Sequence, residues 1–199
     1  MTPLCKLSVK YGSDKNIVGY TPVYYRLLKD RKVKKVLEIG ISGLRALPNN
    51  VIGASLWMWH DFFSDAQIYG IDIDPRFMLN TDRIRSFVAD QTKRETLLNV
   101  VGATGGDFDV IIDDGLHDPF NQIVAANCLL PFLAKDGTYF IEDIYVDPAA
   151  VALCTPRGLY RYRAFLHGEE VELDGPERHF GEPPAGQNLL MIENSRSDA

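Results

Sequence analysis

The stretch Val36-Leu37-Glu38-Ile39-Gly40-Ile41 decides the fold class of this chain. A short apolar run that ends in glycine is typical of a strand buried on both faces of a parallel sheet. The next segment, 42–53 (SGLRALPNNVIG), contains glycine, proline and asparagine and predicts a loop. Residues 54–63 (ASLWMWHDFF) predict a helix, and residues 67–73 (QIYGIDI) predict a second strand. Together these elements form a βαβ unit, the building block of a parallel sheet.

Strands and helices continue to alternate along the chain. The further predicted elements are a strand at 84–89, a helix at 93–101, a strand at 108–112, a helix from the Asp118-Pro119 cap to about residue 133, and a strand at 137–144. Segments 160–173 and 188–193 are predicted to pair as an antiparallel hairpin at the sheet edge. The sequence therefore predicts one α/β domain with a helical N-terminal segment (1–32), a Rossmann-like core (33–194) and a tail (195–199).

Composition and charge narrow the functional classes. The 199 residues are 46% hydrophobic and 24% charged, as expected for a globular domain with a full core. A formal net charge of −6 offers no basic surface for a phosphate backbone, so no nucleic-acid partner is expected. Cys5, Cys128 and Cys154 fit neither a disulfide framework nor a zinc site and indicate a reducing cytoplasm. No apolar run reaches the roughly 18 residues of a membrane span, so no membrane partner is expected.

Acidic side chains follow the predicted strands, at the sheet edge where open α/β folds bind ligands. Glu38 stands where the dinucleotide fingerprint G-x-G-x-x-G places its first glycine, ahead of Gly40 and Ser42. A carboxylate there would repel a pyrophosphate but would suit a ligand with an ammonium group, such as the methionine end of S-adenosylmethionine. This turn is therefore predicted to bind S-adenosylmethionine rather than NAD.

Two further strand ends carry groups that suit a nucleoside. Asp72 ends the second strand, where a carboxylate can accept hydrogen bonds from both ribose hydroxyls. Asp90 and Gln91 end the third strand, where their side chains can read the adenine amino group. Taken singly, Glu38, Asp72 and Asp90 are as consistent with ordinary caps and turns as with ligand binding. Three acids at three successive strand ends favour ligand binding.

More acids follow the fourth and fifth predicted strands. Asp113 and Asp114 end one strand, and Glu142 and Asp143 end the next. Neighbouring strands would bring both pairs to one crevice, where like charges are costly unless a cation neutralises them. Carboxylate oxygens suit a hard ion such as Mg²⁺ better than zinc. The sequence thus predicts a divalent metal site.

His117 lies three residues after Asp114. A histidine near a helix start is more often a surface or capping residue. Its place beside the acids instead favours a general base that takes the proton of a hydroxyl held on the ion. The metal would activate this hydroxyl and orient its oxygen toward the sulfonium methyl group for in-line displacement.

A series of motifs occurs in the order typical of one enzyme family. The motifs are GSDK (12–15), VLEIGI (36–41), GASLWMW (53–59), IYGIDI (68–73), ADQ (89–91), FDVIIDDGLH (108–117) and YFIED (139–143). Over about 11–143 the chain resembles the macrolide sugar O-methyltransferases of the mycinamicin and tylosin type. The resemblance implies a class I methyltransferase fold with a mostly parallel seven-stranded sheet and a C-terminal antiparallel hairpin.

The resemblance also implies roles for individual residues. It makes Asp114, Glu142 and Asp143 ligands of Mg²⁺ and His117 the catalytic base. Asp113 matches the motif, and we group it with the cofactor-binding residues without a separate role. The chain departs from the family pattern at Leu116, where relatives commonly have serine, in the loop 44–52, and after residue 143, where the substrate-binding continuation differs.

Other conspicuous residues are interpreted as structural or supporting. Aromatic residues at helical spacing are predicted to pack in the core: Trp57, Trp59, Phe62 and Phe63. The arginines at 157, 161 and 163 alternate with tyrosines and predict a solvated strand face, with contact to an acidic substrate as the lesser alternative. Tyr11, Lys15 and Tyr20 are predicted to help close the site from the N-terminal side.

The sequence therefore predicts a metal-dependent S-adenosylmethionine O-methyltransferase that acts on a hydroxyl of a sugar-bearing or vicinally oxygenated natural product. The expected cofactors are S-adenosylmethionine and Mg²⁺, the expected partner is a small-molecule hydroxyl acceptor, and a homo-oligomer is inferred as well. Two alternatives use the same scaffold. Glu38 disfavours a hydroxylase or oxidoreductase, and the presence of the metal acids and His117 disfavours a non-catalytic cofactor-binding protein.

Overall fold

The structure, a computed structural model, describes residues 1–41, 49–145, 151–152, 155, 160–166, 168–171 and 188–194. The described helices are α1 (Pro3–Tyr11), α2 (Tyr20–Leu28), α3 (Ala54–Phe62), α4 (Arg94–Thr104) and α5 (Pro119–Leu129). The described strands are β1 (Lys35–Ile39), β2 (Gln67–Asp72), β3 (Ile84–Val88), β4 (Phe108–Asp113), β5 (Leu133–Ile141), β6 (Tyr160–Leu166), β7 (Glu169–Val171) and β8 (Asn188–Asn194). Ser42, Cys154, Arg157, most of the loop 44–52 and the tail 195–199 lie outside the described residues.

The strands form one sheet in the order β3-β2-β1-β4-β5-β8-β6-β7. The first five strands are parallel, whereas β8 is antiparallel to both of its neighbours, β5 and β6. This confirms the predicted Rossmann-like fold with a C-terminal antiparallel hairpin. Two details differ from the prediction. The segment predicted as 160–173 contains two strands, separated near Gly168 (φ +85°), which gives eight strands, and β8 lies inside the sheet rather than at its edge.

The largest boundary error lies between α5 and β5. The helix was predicted to reach about residue 133 but ends at Leu129, and Leu130–Phe132 form a 3₁₀ turn that contains Pro131. Proline has no N–H for a helical hydrogen bond, so the α-helix does not continue through it. The start of this helix is as predicted, because the Asp118 side chain caps it by accepting from the Asn121 N–H at 3.1 Å.

Apolar side chains cover both faces of the sheet. Helices α4 and α5 pack on one face, and α1, α2 and α3 pack on the other. Trp59 and Phe63 are buried, and Trp57 and Phe62 pack half-buried against the same cluster, which confirms the prediction that these aromatic residues belong to the core. Among the described residues, no helix combines the length and apolarity needed to cross a membrane.

The N-terminal segment contacts α3 and the loop that precedes α3. Lys10 and the Tyr11 hydroxyl both bind Asp61, at 2.7 and 2.5 Å, so Tyr11 faces α3 rather than the predicted site. Gly12 has a φ of +71°, and a Cβ there would lie 2.4 Å from the backbone N of Asn50. Only glycine permits this approach. The contact fixes where the chain turns toward residues 13–15.

Candidate active site

The carboxyl ends of β1 to β4 surround a cavity of about 430 Å³, a volume typical of a small-molecule site. Six of the predicted site residues line it: Gly40, Asp72, Asp90, Gln91, Asp114 and His117. The rest of the wall is formed by Asp14, Ile39, Ile71, Ile73, Ala89, Thr92, Gly115 and Leu116. Because the wall contains Ile39, Ile71 and Ala89 as well as acids, the cavity offers both apolar and hydrogen-bonding surface.

Gly40 brings the turn after β1 against the loop after β4. Its φ is +82°, and a Cβ there would lie 2.2 Å from the carbonyl oxygen of Asp114. Side chains other than hydrogen are therefore excluded by both the backbone conformation and the available space.

Asp72 is oriented by backbone groups of two loops. Its Oδ2 accepts from the Ile41 N–H at 3.1 Å, and its Oδ1 accepts from the Asp74 N–H at 2.9 Å. Each carboxylate oxygen has a second lone pair, so both can still accept a hydroxyl proton. This is the acceptor pair that the sequence predicts for a ribose.

Asp90 and Gln91 line the cavity but also make local bonds. Asp90 Oδ1 accepts from the backbone N–H and the hydroxyl of Thr92, at 3.0 and 2.7 Å, and these bonds lower its pKa. Gln91 Oε1 accepts from the Leu116 N–H at 2.6 Å, and its Nε2 donates to Asp113 at 3.4 Å. Gln91 thus ties the end of β3 to the loop after β4, and reading of adenine by this pair stays a prediction.

Asp113 is fully buried and does not line the cavity. Its carboxylate accepts from the Tyr139 hydroxyl at 3.1 Å and from the Gly115 N–H at 3.4 Å. Burial raises its pKa to about 7, against these hydrogen bonds. The structure therefore places Asp113 behind the wall, where it supports the loop 114–117, and does not bring it to the cavity with Gly40, Asp72, Asp90 and Gln91.

Lys15 lies at the centre of the acidic residues. Its ammonium Nζ is 3.1 Å from Glu38 Oε1, 2.6 Å from Asp114 Oδ2 and 2.8 Å from Glu142 Oε2, and the side chain is only 1% exposed. Burial alone would lower the pKa of this lysine, but the three carboxylates raise it well above the ordinary value. Lys15 is therefore a buried, charged counter-ion.

Glu38 faces this lysine rather than the cavity. The carboxylate is fully buried, and its Oε2 accepts from the Trp59 indole N–H at 3.1 Å. Burial raises the pKa of Glu38, although Lys15 works in the opposite direction. The sequence predicts that Glu38 binds the ammonium group of a ligand, but in the structure it binds the ammonium group of Lys15. Glu38 is not brought to the cavity wall.

Glu142 has both carboxylate oxygens engaged. Oε2 pairs with Lys15, and Oε1 accepts from the Tyr24 hydroxyl at 2.5 Å. Burial raises the pKa of Glu142 well above its ordinary value. Tyr20, one helical turn before Tyr24 on α2, binds the neighbouring Asp143. One face of α2 therefore supplies a tyrosine to each of the two acids after β5.

Asp114, His117 and Asp143 form a group whose ligand atoms all lie within 4.8 Å of one another. His117 Nε2 is 3.5 Å from Asp143 Oδ2 and 3.9 Å from Asp114 Oδ1, whereas its Nδ1 is buried and has no hydrogen-bond partner in the described part of the chain. The two carboxylates suit a hard divalent ion. The structure brings two of the three predicted ligands together here and places the third, Glu142, behind them.

Curated relatives are about one-third identical to this chain over the aligned residues. The 8-demethyl-8-alpha-L-rhamnosyl tetracenomycin-C 2'-O-methyltransferase of Streptomyces olivaceus is 34% identical over 145 residues, which cover 71% of this chain and 37% of that protein. The mycinamicin VI 2''-O-methyltransferase of Micromonospora griseorubida is 35% identical over 146 residues, which cover 71% and 36%. No protein-family profile matches the sequence.

Solved structures of the MycE methyltransferase from the mycinamycin pathway have the same fold. The complex with Mg, SAH and mycinamycin VI is 36% identical, with a TM-score of 0.64 over 71% of this chain and 39% of that one. A second crystal form, with Mg and SAH, has a TM-score of 0.69 and 26% identity over 99% of this chain and 54% of that one. Over 71% of its length this chain is thus similar in sequence and fold to mycinamicin-type sugar O-methyltransferases. It spans little more than a third of the length of these curated homologues.

Three features of the site were not predicted from the sequence of this chain. Sequence reasoning placed Lys15 and Tyr20 at the site but did not predict that Lys15 joins three acids, and it did not identify Tyr24. The sequence signals were present, since Lys15 ends the GSDK motif and Tyr20 and Tyr24 have helical spacing. The third feature is Gln91, whose bond to the Leu116 N–H leaves no local trace in the sequence.

Proposed function

We propose that this chain is an S-adenosylmethionine-dependent O-methyltransferase that uses Mg²⁺ and methylates a hydroxyl of a sugar-bearing or other vicinally oxygenated natural product. One observation carries this proposal. A single cavity is lined both by Asp72, which presents two acceptor oxygens for a ribose, and by Asp114 and His117, which suit the activation of a hydroxyl. Donor and acceptor would thus meet in one chamber.

The homologues support the cofactors and the class of acceptor. The MycE structures contain Mg and SAH, the product that S-adenosylmethionine becomes after methyl transfer. The names of the curated relatives specify O-methylation of rhamnosyl tetracenomycin-C and of mycinamicin VI. We infer a glycosylated acceptor for this chain by homology.

The residues present fit a magnesium ion. Asp114 and Asp143 each offer a carboxylate oxygen within 4.8 Å of the other and of a His117 nitrogen, and Glu142 would join them by exchanging its present partner, Lys15. When bound, Mg²⁺ would supply Lewis-acid polarisation of the acceptor and would favour its ionised form.

His117 would take the proton of the acceptor hydroxyl. Its Nε2 is the nitrogen that faces the acids, and the imidazolium formed there would be stabilised by Asp143 and Asp114. As the proton leaves, the hydroxyl oxygen forms a bond to the methyl carbon and the carbon–sulfur bond breaks. Its electron pair stays on sulfur and yields neutral S-adenosylhomocysteine, so no covalent intermediate with the protein is needed.

We also propose a cytoplasmic location. Cys5 and Cys128 are buried and free, which suits a reducing compartment.

Transfer of labelled methyl groups tests the function. The protein is incubated with S-adenosylmethionine labelled in the methyl group and with a panel of glycosides and catechols that carry neighbouring hydroxyls. We expect label in at least one acceptor, loss of transfer in EDTA and recovery with Mg²⁺. Full transfer in the presence of chelator would contradict the metal requirement, and transfer to catechols alone would contradict the glycosylated acceptor.

A further inference from the structure

Lys15 serves as a single cation for several acids. Its ammonium group has three N–H donors, and three carboxylates lie within 3.1 Å of it: Glu38, Asp114 and Glu142. The side chain is almost completely buried, so water contributes little to the stabilisation of these charges. Removal of this lysine would leave buried carboxylates without a partner, which is costly in a protein interior.

Two of these acids are also predicted ligands of the metal. Lys15 Nζ occupies one oxygen of Asp114 and one of Glu142, the carboxylates that sequence reasoning assigns to Mg²⁺. The ammonium group therefore neutralises these two carboxylates, as a divalent ion would. The Lys15 ammonium group repels a second cation that approaches these oxygens, and it occupies the lone pairs that the cation would need.

Glu38 gives Lys15 a partner that the metal does not need. It lies away from the cavity wall, and its Oε1 has Lys15 at 3.1 Å but no hydrogen-bond partner in the described part of the chain. Trp59 fixes the other oxygen at 3.1 Å. The ammonium group can thus remain neutralised by Glu38 when the other two carboxylates turn to an ion.

We propose that Lys15 is the built-in counter-ion of the metal-free site, and that Mg²⁺ binds by displacing it from Asp114 and Glu142 while Glu38 retains it. This inference rests on the metal requirement of the proposed function. In this role Lys15 is a positioning residue: it holds the ligand set together without metal and sets how tightly the metal binds.

The first test compares Lys15→Met with the wild type by calorimetric titration of MgCl₂ and by thermal unfolding. Loss of the competing charge should tighten Mg²⁺ binding by on the order of tenfold or more. The melting temperature of the metal-free variant should fall by roughly 6–20 °C, because buried carboxylates lose their partner. Saturating Mg²⁺ should raise the melting temperature of the variant more than that of the wild type.

Lys35→Met is the matched control. Lys35 is a half-buried lysine at the start of β1, and its ammonium group donates to the carbonyls of Thr104 and Gly106 at 3.1 and 2.9 Å rather than to the acids around Lys15. This variant should lose stability but keep the wild-type affinity for Mg²⁺. Equal tightening in both variants would mean that a loosened fold, rather than the lost charge, changes the affinity.

A measurement on the wild type covers the case in which Lys15→Met does not fold. Nitrogen-15 NMR of the lysine ammonium groups should show a Lys15 resonance that shifts on saturation with Mg²⁺, whereas the Lys35 resonance stays in place. A Lys15 resonance that does not move while Mg²⁺ binds would overturn the inference.

The outcomes separate this inference from the proposed function. Mg²⁺ binding to the wild type with unchanged or weaker binding to Lys15→Met would overturn the role of Lys15 and leave the function intact. Binding to Lys15→Met alone would show that Lys15 excludes the ion rather than being displaced by it, and would overturn both the inference and the metal requirement. Binding to neither protein would overturn both.

Discussion

Tyr20 and Asp143 bind each other through two hydrogen bonds. The Tyr20 hydroxyl donates to Asp143 Oδ1 at 2.6 Å and accepts from the Asp143 backbone N–H at 3.0 Å. Asp143 has a φ of +50°, a left-handed conformation that costs a non-glycine residue on the order of 1–3 kcal/mol. The two bonds offset this strain and leave Oδ2 facing His117. Burial and the nearby acids raise the pKa of Tyr20, so its hydroxyl stays protonated.

The variant Tyr20→Phe should weaken Mg²⁺ binding. Residues that orient metal ligands typically contribute about 10–100-fold to affinity, and we expect a loss in that range while S-adenosylhomocysteine still binds. Calorimetry with each ligand measures both. Tyr25→Phe, on the same helix but with its ring packed against Phe62, is the control. Unchanged Mg²⁺ affinity in Tyr20→Phe would show that Asp143 does not need this support.

The variant Gly40→Ala should destabilise the protein and impair the cavity. A Cβ would meet the Asp114 carbonyl at 2.2 Å, and the backbone conformation disfavours any side chain. We expect a loss of at least about 2 kcal/mol in the free energy of unfolding, measured with denaturant. Gly102→Ala in α4, where a Cβ meets nothing within 4 Å, should instead gain roughly 0.5–1 kcal/mol. Similar stability of the two variants would contradict the described turn.

The variant Asp72→Ala should weaken the binding of S-adenosylhomocysteine. It removes a carboxylate that would accept from two ribose hydroxyls, and hydrogen bonds to charged groups contribute about 1.5–3 kcal/mol, or roughly 10–100-fold in affinity. Asp74→Ala removes a nearby acid that caps the turn Pro75–Phe77 and does not line the cavity. Binding that falls equally in both variants would point to the loop rather than to the ribose contact.

The variant His117→Ala should spare binding and slow turnover. Loss of a general base typically lowers the rate by about 10²–10⁴-fold. The melting temperature and the affinity for S-adenosylhomocysteine should change little, because the nearest acids, Asp143 and Asp114, lie 3.5 and 3.9 Å from His117 Nε2. His60→Ala is the control, since His60 contacts Asp61 and Trp57 away from the cavity. If the variant turned over at the wild-type rate, a group other than His117 would have to remove the proton of the hydroxyl.

Local sequence patterns were sufficient to predict most strands of the sheet and the residues at its edge. The strand containing Val36 and the cap at Asp118 follow from apolar runs, glycine and proline, which act within a few residues. The acids at 72, 90 and 114 reach the cavity because parallel strands all present their carboxyl ends at one edge. These features depend on local chemistry and on a general rule of topology.

Partners far apart in sequence were not predictable in the same way. Lys15 pairs with Asp114 and Glu142, which lie 99 and 127 residues later, and its sequence neighbours predict a place near the site but not these partners. The sequence therefore predicted that Glu38 binds the ammonium group of a ligand, whereas Lys15 of the same chain provides that cation. Asp113 was grouped with the cofactor-binding residues, yet alternation along β4 turns its side chain into the core.

Calorimetric titration of the wild-type protein with S-adenosylhomocysteine and with NAD tests the central claim, that the cavity between Asp72 and Asp114 is a methyl-donor site. The account predicts one molecule of S-adenosylhomocysteine per chain with an affinity in the micromolar range, and no measurable binding of NAD. Comparable binding of NAD, or no binding of S-adenosylhomocysteine, would contradict it.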